Sequence, residues 1–293
     1  MKSIHKNLDK QDMKIVSWNV NGLRSNILNT GKFSGNRISD DSNLASIIRD
    51  QDPDIICFQE TKCEELDVNE SVYKKYWNSS KKDGARSGTR YSGTSVWSKV
   101  EPVSVSYNFP TFAFPEQEGR IIVAKFMTFT LINVYVPNAA TNWDERMLWD
   151  EALTEYLTYL HHKGEPVVLV GDMNVVRTIQ DIWLGKTIPQ SVVEGRVEGF
   201  IGFTKEERDG FERHISSGYV DVMRELHPHD TIYTWWNPRD PSSRPKKGWR
   251  LDYFLVSDWL MDSILEARAL EDSGLLTRPR GSDHCAILLL LDM

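Results

Sequence analysis

The apolar stretch Val167-Val168-Leu169-Val170 is followed by Gly171, and then by Asp172 and Asn174, which are two residues apart. A carboxylate and a carboxamide at the end of a buried strand are held in place by a rigid sheet. Such groups can bind a metal ion, align a water molecule or bind a phosphate. Both side chains also shape turns, so this pair alone leaves catalysis and turn formation open.

Five other apolar runs end in polar side chains of the same kinds: Asn19 and Asn21, Gln59 and Glu60, Tyr135 and Asn138, Asp252, and Asp283 with His284. One such ending is ordinary turn chemistry, but six in one chain predict a single cleft lined by acceptors, donors and one imidazole. Its carboxylate and amide oxygens favour Mg²⁺ or Mn²⁺ over zinc. A partly hydrated Mg²⁺ on a few carboxylates commonly serves phosphodiester chemistry.

Short apolar segments predict the strands that position these side chains, namely one that begins at residue 14 and others over 54–58, 93–98, 103–107, 121–126, 129–136, 167–170, 251–256 and 286–291. Helical spacing and capping signals predict helices over 44–48, 143–160 and 204–216. Antiparallel pairs mix with strand–helix–strand units, which favours two packed sheets with helices outside over a doubly wound parallel sheet. No internal linker divides the chain, so we expect a disordered lead-in over 1–12 and one domain over 13–293.

The composition limits the class of protein. No apolar run reaches the length of a membrane span, and the polar start has no signal-peptide pattern. The three cysteines, Cys57, Cys63 and Cys285, are odd in number and lack metal-type spacing, so a disulfide framework is not expected. We therefore expect an intracellular protein without a membrane partner, in the cytoplasm of a prokaryote or the nucleus of a eukaryote.

The formal net charge of −7 argues mildly against a nucleic-acid partner, but the basic residues are clustered. Clusters over 81–99, over 244–250, and at Arg278 and Arg280 lie next to glycine, proline or serine, as loop residues do. Basic loops on an acidic body suit a protein that meets phosphates on one face. Solvated loops without a partner explain the charges equally well.

Seven motifs, in order, resemble those of the exonuclease III family of apurinic/apyrimidinic (AP) endonucleases: SWNVNGLR at 17–24, FQETK at 58–62, EGRI at 118–121, NVYVPN at 133–138, GDMN at 171–174, GWRLDY at 248–253 and GSDH at 281–284. The resemblance extends from residue 13 to the end of the sequence. It implies an α/β fold of the α+β type, a four-layer sandwich of two mixed sheets flanked by helices, like deoxyribonuclease I. It also implies Mg²⁺-dependent cleavage of DNA 5′ to an abasic site, with Mn²⁺ as a substitute metal.

The resemblance assigns four residues to the metal region. Glu60 corresponds to the metal-binding glutamate of the family, Asp283 to an aspartate that helps hold the metal region, and Asn19 to a supporting residue. Asn21 stands where relatives have Asp or Asn. An amide at this position lowers the local negative charge and can weaken or move metal binding.

The resemblance also assigns the residues that act on the phosphate. His284 corresponds to the essential histidine and Asp252 to the carboxylate that orients it. Asp172 corresponds to the aspartate that activates or aligns the attacking water. The groups that bind the scissile phosphate correspond to Asn174, Asn138 and Tyr135.

Two loops and a small pocket correspond to the DNA-handling parts of the family. The residues that resemble the DNA-backbone contacts of the family are Arg90, Tyr91, Lys247, Trp249 and Arg250. A small apolar pocket for the extruded abasic sugar corresponds to Trp235, Trp249 and Leu251. Plain core packing is the alternative for the tryptophans, above all for Trp236.

Together these features predict a monomeric Mg²⁺-dependent DNA repair endonuclease that hydrolyses the phosphodiester 5′ to abasic sites in duplex DNA. We also expect 3′→5′ exonuclease or 3′-end-cleaning activity, so the substrates include duplexes with blocked 3′ ends. A first alternative keeps the fold but acts on another phosphoester, such as intact DNA or a phosphoinositide. A second alternative is a DNA-binding module without catalysis.

Overall fold

The computed structural model describes residues 12–24, 38, 42–66, 72–79, 92–109, 119–183, 200–240, 242, 244–270 and 281–293. The predicted disordered lead-in over 1–12 therefore lies outside the described residues, except for Asp12. That residue belongs to the first strand, and the domain boundary at residue 13 stays a prediction.

The described residues form fourteen strands, which we number in chain order: β1 (Asp12–Asn19), β2 (Ile55–Gln59), β3 (Lys74–Asn78), β4 (Thr94–Ser98), β5 (Ser104–Ser106), β6 (Ile121–Lys125), β7 (Thr130–Tyr135), β8 (Val167–Asp172), β9 (Tyr219–Asp221), β10 (Trp235–Trp236), β11 (Gly248–Trp249), β12 (Asp252–Ser257), β13 (Ile264–Ala269) and β14 (Ile287–Asp292). The α-helices of this part of the chain are α1 (Asn43–Gln51), α2 (Trp143–His162), α3 (Lys205–Ser216) and α4 (Val222–Leu226).

Twelve of these strands make two six-stranded sheets, and the two central strands of each sheet are parallel. The first sheet has the order β13-β14-β1-β2-β4-β3, and the second has the order β5-β6-β7-β8-β12-β9. In each sheet a single pair of strands is parallel, β1 with β2 and β7 with β8, and the other pairs are antiparallel. A helix connects the members of each parallel pair, α1 in the first sheet and α2 in the second, as parallel strands require.

Three apolar clusters separate the layers. Residues from both sheets, such as Ile15 and Val170, pack together in the central cluster. Helix α1 covers the outer face of the first sheet through Leu44, and helix α2 covers the outer face of the second sheet through Leu153 and Leu157. The order helix, sheet, sheet, helix is the predicted four-layer sandwich of two mixed sheets, and that prediction is confirmed.

Strand β8 shows how the sequence pattern specifies this layering. All six of its residues are buried, because alternate side chains enter different clusters: Val168 and Val170 face the other sheet, while Val167 and Leu169 face the helices. The prediction of a strand buried on both faces is therefore confirmed. The prediction that Gly171 ends the strand is wrong, since β8 continues through Asp172.

Helix boundaries follow the predicted signals closely. Helix α2 runs two residues beyond the predicted end at 160. Helix α3 begins with the predicted capping box, in which Thr204 and Glu207 each accept a backbone N–H of the other. Cys57, Cys63 and Cys285 are buried, and none of these described cysteines forms a disulfide. No helix within the described residues has the length and hydropathy to cross a bilayer.

His214 is a buried titratable group between α2 and α3. Its Nδ1 atom lies 2.9 Å from the hydroxyl of Thr154, and its side chain is fully buried. Burial, reinforced by the positive charges of Arg146 and Arg213, lowers the pKa of His214 to about 3. The folded protein therefore keeps this ring neutral at pH values where the unfolded chain binds a proton.

This difference predicts a pH-dependent stability. Above pH 6.5, His214 is neutral in both the folded and the unfolded state and does not lower the free energy of unfolding. As the pH falls below 6.5, the free energy of unfolding decreases, because the unfolded chain binds a proton that the buried ring does not. Between pH 8 and pH 5 the loss amounts to about 2 kcal/mol in the free energy of unfolding. We expect His214→Gln to remove this part of the pH dependence in urea unfolding, whereas His162→Gln, at an exposed position of α2, leaves it unchanged. If the free energy of unfolding decreased equally with falling pH in His214→Gln and in wild type, the lowered pKa assigned to His214 would be contradicted.

Candidate active site

The topology brings the six predicted strand ends to one rim of the sandwich. The register of the parallel pairs places Asn19 beside Gln59 in the first sheet and Tyr135 beside Asp172 in the second. Asp252, at the start of β12, pairs with Asp172 on its other side. Because the two sheets face each other across the central cluster, the polar ends of both parallel pairs meet. The predicted single cleft is present.

Asn19 joins the two sheets at this rim. Its Nδ2 atom donates to Oε1 of Glu60 at 3.1 Å and to Oδ2 of Asp172 at 2.9 Å. Tyr135 donates its hydroxyl to the same Glu60 oxygen at 2.8 Å. Burial and the nearby carboxylates of Glu60 and Asp172 raise the pKa of Tyr135 well above its usual 10, so this hydroxyl stays a donor. In this structure the Tyr135 hydroxyl contacts Glu60, and its predicted contact with a phosphate stays a prediction.

The backbone at the rim adopts an uncommon conformation. Asn21, Glu60, Lys62 and Asn174 have φ between 44° and 51°, in the left-handed region that non-glycine residues rarely adopt. Such conformations are held by surrounding contacts and concentrate at functional sites. Here the backbone N–H of Gly22 donates to the carbonyl of Glu60 at 2.8 Å, which fastens the two loops after β1 and β2 to each other.

His284 lies between two carboxylates. Its Nδ1 is 2.8 Å from Oδ2 of Asp252, and its Nε2 is 3.9 Å from Oδ2 of Asp172. Ser282 fixes the backbone here, since its hydroxyl accepts from the N–H of His284 and donates to the carbonyl of Asn19. Burial alone would lower the pKa of His284, but the charge and hydrogen bond of Asp252 and the charge of Asp172 raise it to about 10. The ring is therefore a cation near neutral pH.

Asp172 is fully buried behind this ring. Burial and the neighbouring charges of Asp252 and Glu60 raise the pKa of Asp172, whereas His284 and the backbone N–H of Asn174 oppose the shift. The N–H of Asn174 donates to Oδ1 of Asp172 at 2.8 Å. A carboxylate whose pKa is raised toward neutrality is a better proton acceptor than an ordinary aspartate.

Asn174 and Asn138 form a linked pair of amides. The Nδ2 atom of Asn174 donates to the carbonyl of Val136 at 2.8 Å, and Nδ2 of Asn138 donates to Oδ1 of Asn174 at 3.1 Å. An amide nitrogen carries two N–H groups, and both side chains line the cavity described next. Each therefore has a donor left for an anion in that cavity.

A cavity of about 240 Å³ opens beside these groups. One wall is apolar and consists of Ile201, Gly202, Trp235, Trp249 and Leu251. The opposite wall is polar and consists of Glu60, Tyr135, Asn138, Asp172, Asn174, Asp283 and His284. The predicted pocket residues and most of the predicted catalytic residues thus line one space. Trp236, in contrast, is a core residue with 1% of its surface exposed.

The residues predicted to bind a metal ion lie close together at one edge of this cavity. Nδ2 of Asn21 donates to Oδ1 of Asp283 at 2.8 Å, and the ammonium of Lys62 lies 2.8 Å from Oε2 of Glu60 and hydrogen-bonds Oδ1 of Asn21. Burial alone would raise the pKa of Asp283, but His284 and hydrogen bonds from Trp235 and Asn21 lower it below 3.8. The carboxylate of Asp283 is therefore available as an anion.

This arrangement fits a hard, partly hydrated cation. The side-chain oxygens of Glu60 and Asn21 already converge on one positive charge, that of Lys62. The protein supplies oxygen donors, and no group of three His, Cys, Asp or Glu side chains in the described part of the chain could hold a metal ion by itself. A site with few protein carboxylates and several waters is what Mg²⁺ prefers.

The prediction that Arg250 contacts DNA is wrong. Its side chain is fully buried, and its guanidinium donates to Asp181 at 2.7 and 3.0 Å and to Asp221 at 2.8 and 2.7 Å. These contacts use four of the five guanidinium N–H groups inside the protein. Arg250 instead fastens the segment after β11 to β9 and to the short 3₁₀ turn at Asp181.

The other predicted DNA contacts have different outcomes. Lys247 is partly exposed, with its ammonium 3.9 Å from Asp240 and 5.3 Å from the ring centre of Trp183. Its predicted contact with DNA stays a prediction. Arg90 and Tyr91 lie outside the described residues, as do Arg278 and Arg280.

The sequence pattern missed several residues that build the site. Thr234 accepts the N–H groups of Leu251 and Asp252 through its hydroxyl and so sets the start of β12. Lys62 and Ser282 occur inside the quoted motifs, where their fixed spacing from Glu60 and His284 was a usable signal. Thr234 gives no such signal, because a threonine immediately before a short strand is ordinary.

Comparison with known proteins agrees with this geometry. Residues 16–284 match the profile described as the Endonuclease/Exonuclease/phosphatase family. The chain belongs to this family. The family is metal-dependent, and relatives of the chain act on DNA. The resemblance drawn from the seven sequence motifs is confirmed.

Individual relatives cover nearly the whole chain. An exodeoxyribonuclease of Bacillus subtilis is 35% identical over 287 residues, which are 96% of this chain and 100% of that protein. The DNA repair nuclease APEX1 of Danio rerio is 35% identical over 96% of this chain and 82% of its own length. The structure of an AP endonuclease from Archaeoglobus fulgidus superposes with a TM-score of 0.76 at 26% identity, covering 96% of this chain and 100% of that one.

The contact between Asp252 and His284 predicts a measurable titration. In protein freed of metal with EDTA, we expect NMR to show the His284 ring protonated up to about pH 10. Asp252→Asn removes the largest of the charges that raise this pKa together with its hydrogen bond, so the pKa of His284 should fall. A wild-type His284 that titrates near 6.5 would contradict the assigned electrostatics.

Proposed function

We propose that this protein is a Mg²⁺-dependent DNA repair endonuclease that hydrolyses the phosphodiester 5′ to abasic sites in duplex DNA. One observation carries the proposal: a small cavity with an aromatic wall shares its opposite wall with a buried aspartate–histidine pair and two amides. A nuclease that recognises a missing base needs a pocket for the bare sugar and a phosphate site directly beside it. The names of two relatives, an exodeoxyribonuclease and a DNA repair nuclease, support DNA as the substrate.

The polar wall suits hydrolysis of a phosphodiester. The transition state gathers negative charge on the phosphate oxygens, so fixed donors stabilise it more than they stabilise the ground state. The cationic His284 and the remaining N–H groups of Asn138 and Asn174 are such donors. Asp172, with its raised pKa, aligns the attacking water and accepts its proton.

A divalent cation completes this set. Mg²⁺ bound near Glu60 and Asp283, with Asn21 beside them, would neutralise charge on the phosphate. Mn²⁺, which prefers similar oxygen ligands, can substitute. All the residues in the proposal come from one chain, so a monomer suffices.

The apolar wall provides selection for the lesion. In this proposal a deoxyribose without a base packs against Trp235, Trp249 and Leu251, and these side chains leave no place for an attached base. Flipping a nucleotide out of the helix costs least where no base is paired or stacked. Abasic duplexes are therefore favoured both by the fit to the pocket and by the lower cost of extrusion.

The same cavity supports a second activity at DNA ends. A frayed 3′ terminus can place its last sugar in the pocket and its phosphate beside His284, which gives 3′→5′ exonuclease activity or removal of a 3′ block. The name of the Bacillus subtilis relative, exodeoxyribonuclease, favours this activity. Matched abasic, intact and 3′-phosphate duplexes separate the proposed substrate class from another phosphoester, and any metal-dependent turnover eliminates a purely binding role.

Two substitutions test the assigned chemistry. We expect His284→Ala to lower kcat on a tetrahydrofuran-containing duplex about a thousandfold and Glu60→Gln about a hundredfold, because each removes charge stabilisation at the reacting phosphate. EDTA should abolish the remaining activity. The matched controls are His162→Ala and Glu155→Gln, both at exposed positions of α2, which should retain wild-type kcat. Full activity of either site variant would refute the site.

A third substitution tests the pocket. Trp249→Ala removes one aromatic wall, so we expect kcat/KM on the abasic duplex to fall about tenfold, as for loss of an apolar contact. The ratio of abasic to intact duplex cleavage should fall as well, because a wider cavity excludes a nucleotide less well. Trp259→Ala, at a surface indole that does not line the cavity, is the control. An unchanged ratio in Trp249→Ala would show that selection occurs elsewhere.

A further inference from the structure

Beneath the site, helix α2 carries a buried arginine, Arg146, that belongs to no sequence motif used above. Only 1% of its side chain is exposed. Its Nε atom donates to Oδ2 of Asp150 at 2.9 Å, one helical turn further along α2. Its guanidinium also lies 3.7 Å from Oε1 of Glu207, a fully buried residue of α3. A buried cation is thus balanced by two buried carboxylates.

The remaining side of this guanidinium faces the loops that build the cavity. The Nη1 atom of Arg146 donates to the carbonyl of Pro137 and to the carbonyl of Asn174, both at 3.1 Å. Pro137 immediately precedes Asn138 and follows the end of β7, whereas Asn174 follows the end of β8. One nitrogen therefore ties together the backbones of the two loops whose amides face the cavity.

Glu207 extends this connection to the apolar wall. Its Oε2 atom accepts the N–H of Gly202 at 2.8 Å, in addition to the N–H and hydroxyl of Thr204 at the start of α3. Gly202 lines the cavity beside Trp249. The buried cluster of Arg146, Asp150 and Glu207 therefore contacts three separate segments of the cavity wall, at Pro137, Asn174 and Gly202.

We propose that Arg146 is a positioning residue for the reaction: it sets the separation of the Asn138 and Asn174 amides and so their aim at the phosphate. The inference rests on the proposed function of the site and adds a residue that never touches substrate. A displacement of a reacting group by about 1 Å can lower a rate a hundredfold. Lysine keeps the charge but lacks the planar fork that reaches a carboxylate on one side and two carbonyls on the other.

The test compares Arg146→Lys with Leu157→Ala. Leu157 is a fully buried residue of the same helix, three turns further from the site, and its truncation destabilises the fold while leaving Arg146 and its hydrogen bonds in place. For wild type and both variants we would measure kcat and KM on a tetrahydrofuran duplex, the Kd for that duplex in EDTA, and Tm. We expect Arg146→Lys to lose at least tenfold in kcat, with KM and Kd within threefold of wild type. Leu157→Ala should keep kcat within twofold at a temperature well below its Tm.

A second readout is independent of activity. In Arg146→Lys, hydrogen exchange followed by mass spectrometry should accelerate in peptides that cover 136–140 and 172–176, and Leu157→Ala should leave both peptides protected. If the wild type hydrolyses another phosphoester instead of the abasic duplex, the proposed function fails, while the same variants test Arg146 on that substrate. Wild-type kcat and exchange in Arg146→Lys, a kcat loss equal to that of Leu157→Ala, or a loss confined to KM would each overturn the inference.

Discussion

A single side-chain amide holds two carboxylates from different sheets, and the geometry of the site depends on it. Asn19 donates to Glu60 from the first sheet and to Asp172 from the second. Without donors between them, two neighbouring acidic groups would repel each other and separate. One residue row deeper, Nε2 of Gln59 donates to Oδ1 of Asn133 at 2.7 Å, again between the sheets. The sandwich is thus fastened by polar contacts at the rim and filled by apolar side chains beneath it.

Most of the charged side chains around Asn19 have an oppositely charged partner of their own. Asp252 is compensated by His284, Glu60 by Lys62, and the buried Arg146 by Asp150 and Glu207. Asp172 accepts hydrogen bonds from Asn19 and Asn174, and Nε2 of His284 lies 3.9 Å from its carboxylate. Burial raises the pKa of this carboxylate, which agrees with the role proposed for Asp172 beside the attacking water.

The strand-end pattern predicted which side chains meet, because hydrophobic runs specify buried strands and parallel pairs bring their ends to the same rim. Strands β3 and β13 were not predicted, since Lys74 and Glu266 interrupt their apolar pattern and most of their residues are only partly buried. Strand β3 is held by its pairing with β4, and strand β13 by its pairing with β14. Such pairing is decided by tertiary contacts and leaves little periodicity to detect.

The error at Arg250 has a comparable cause. A basic residue in a cluster of basic residues has the composition of a DNA contact, and its actual partners are Asp181 and Asp221, 69 and 29 residues away. Arg146 was overlooked for the same reason, since an arginine within an amphipathic helix is ordinarily solvated. Local sequence identified the groups that face the cavity. The buried groups that hold them in place depend on contacts between distant segments and became visible only in the folded chain.

Gly171 determines how wide the catalytic rim is. Its φ is 139°, and a Cβ atom there would lie 2.0 Å from the carbonyl oxygen of Val134 on β7. Any side chain would therefore wedge β7 away from β8 one residue before Tyr135 and Asp172, the last paired residues of these strands. Tyr135 would then lose its reach to Glu60 across the sheets. Because Gly171 has no Cβ atom, β7 and β8 can approach each other closely at this point. The width of the cleft therefore depends on the absence of a side chain at this position.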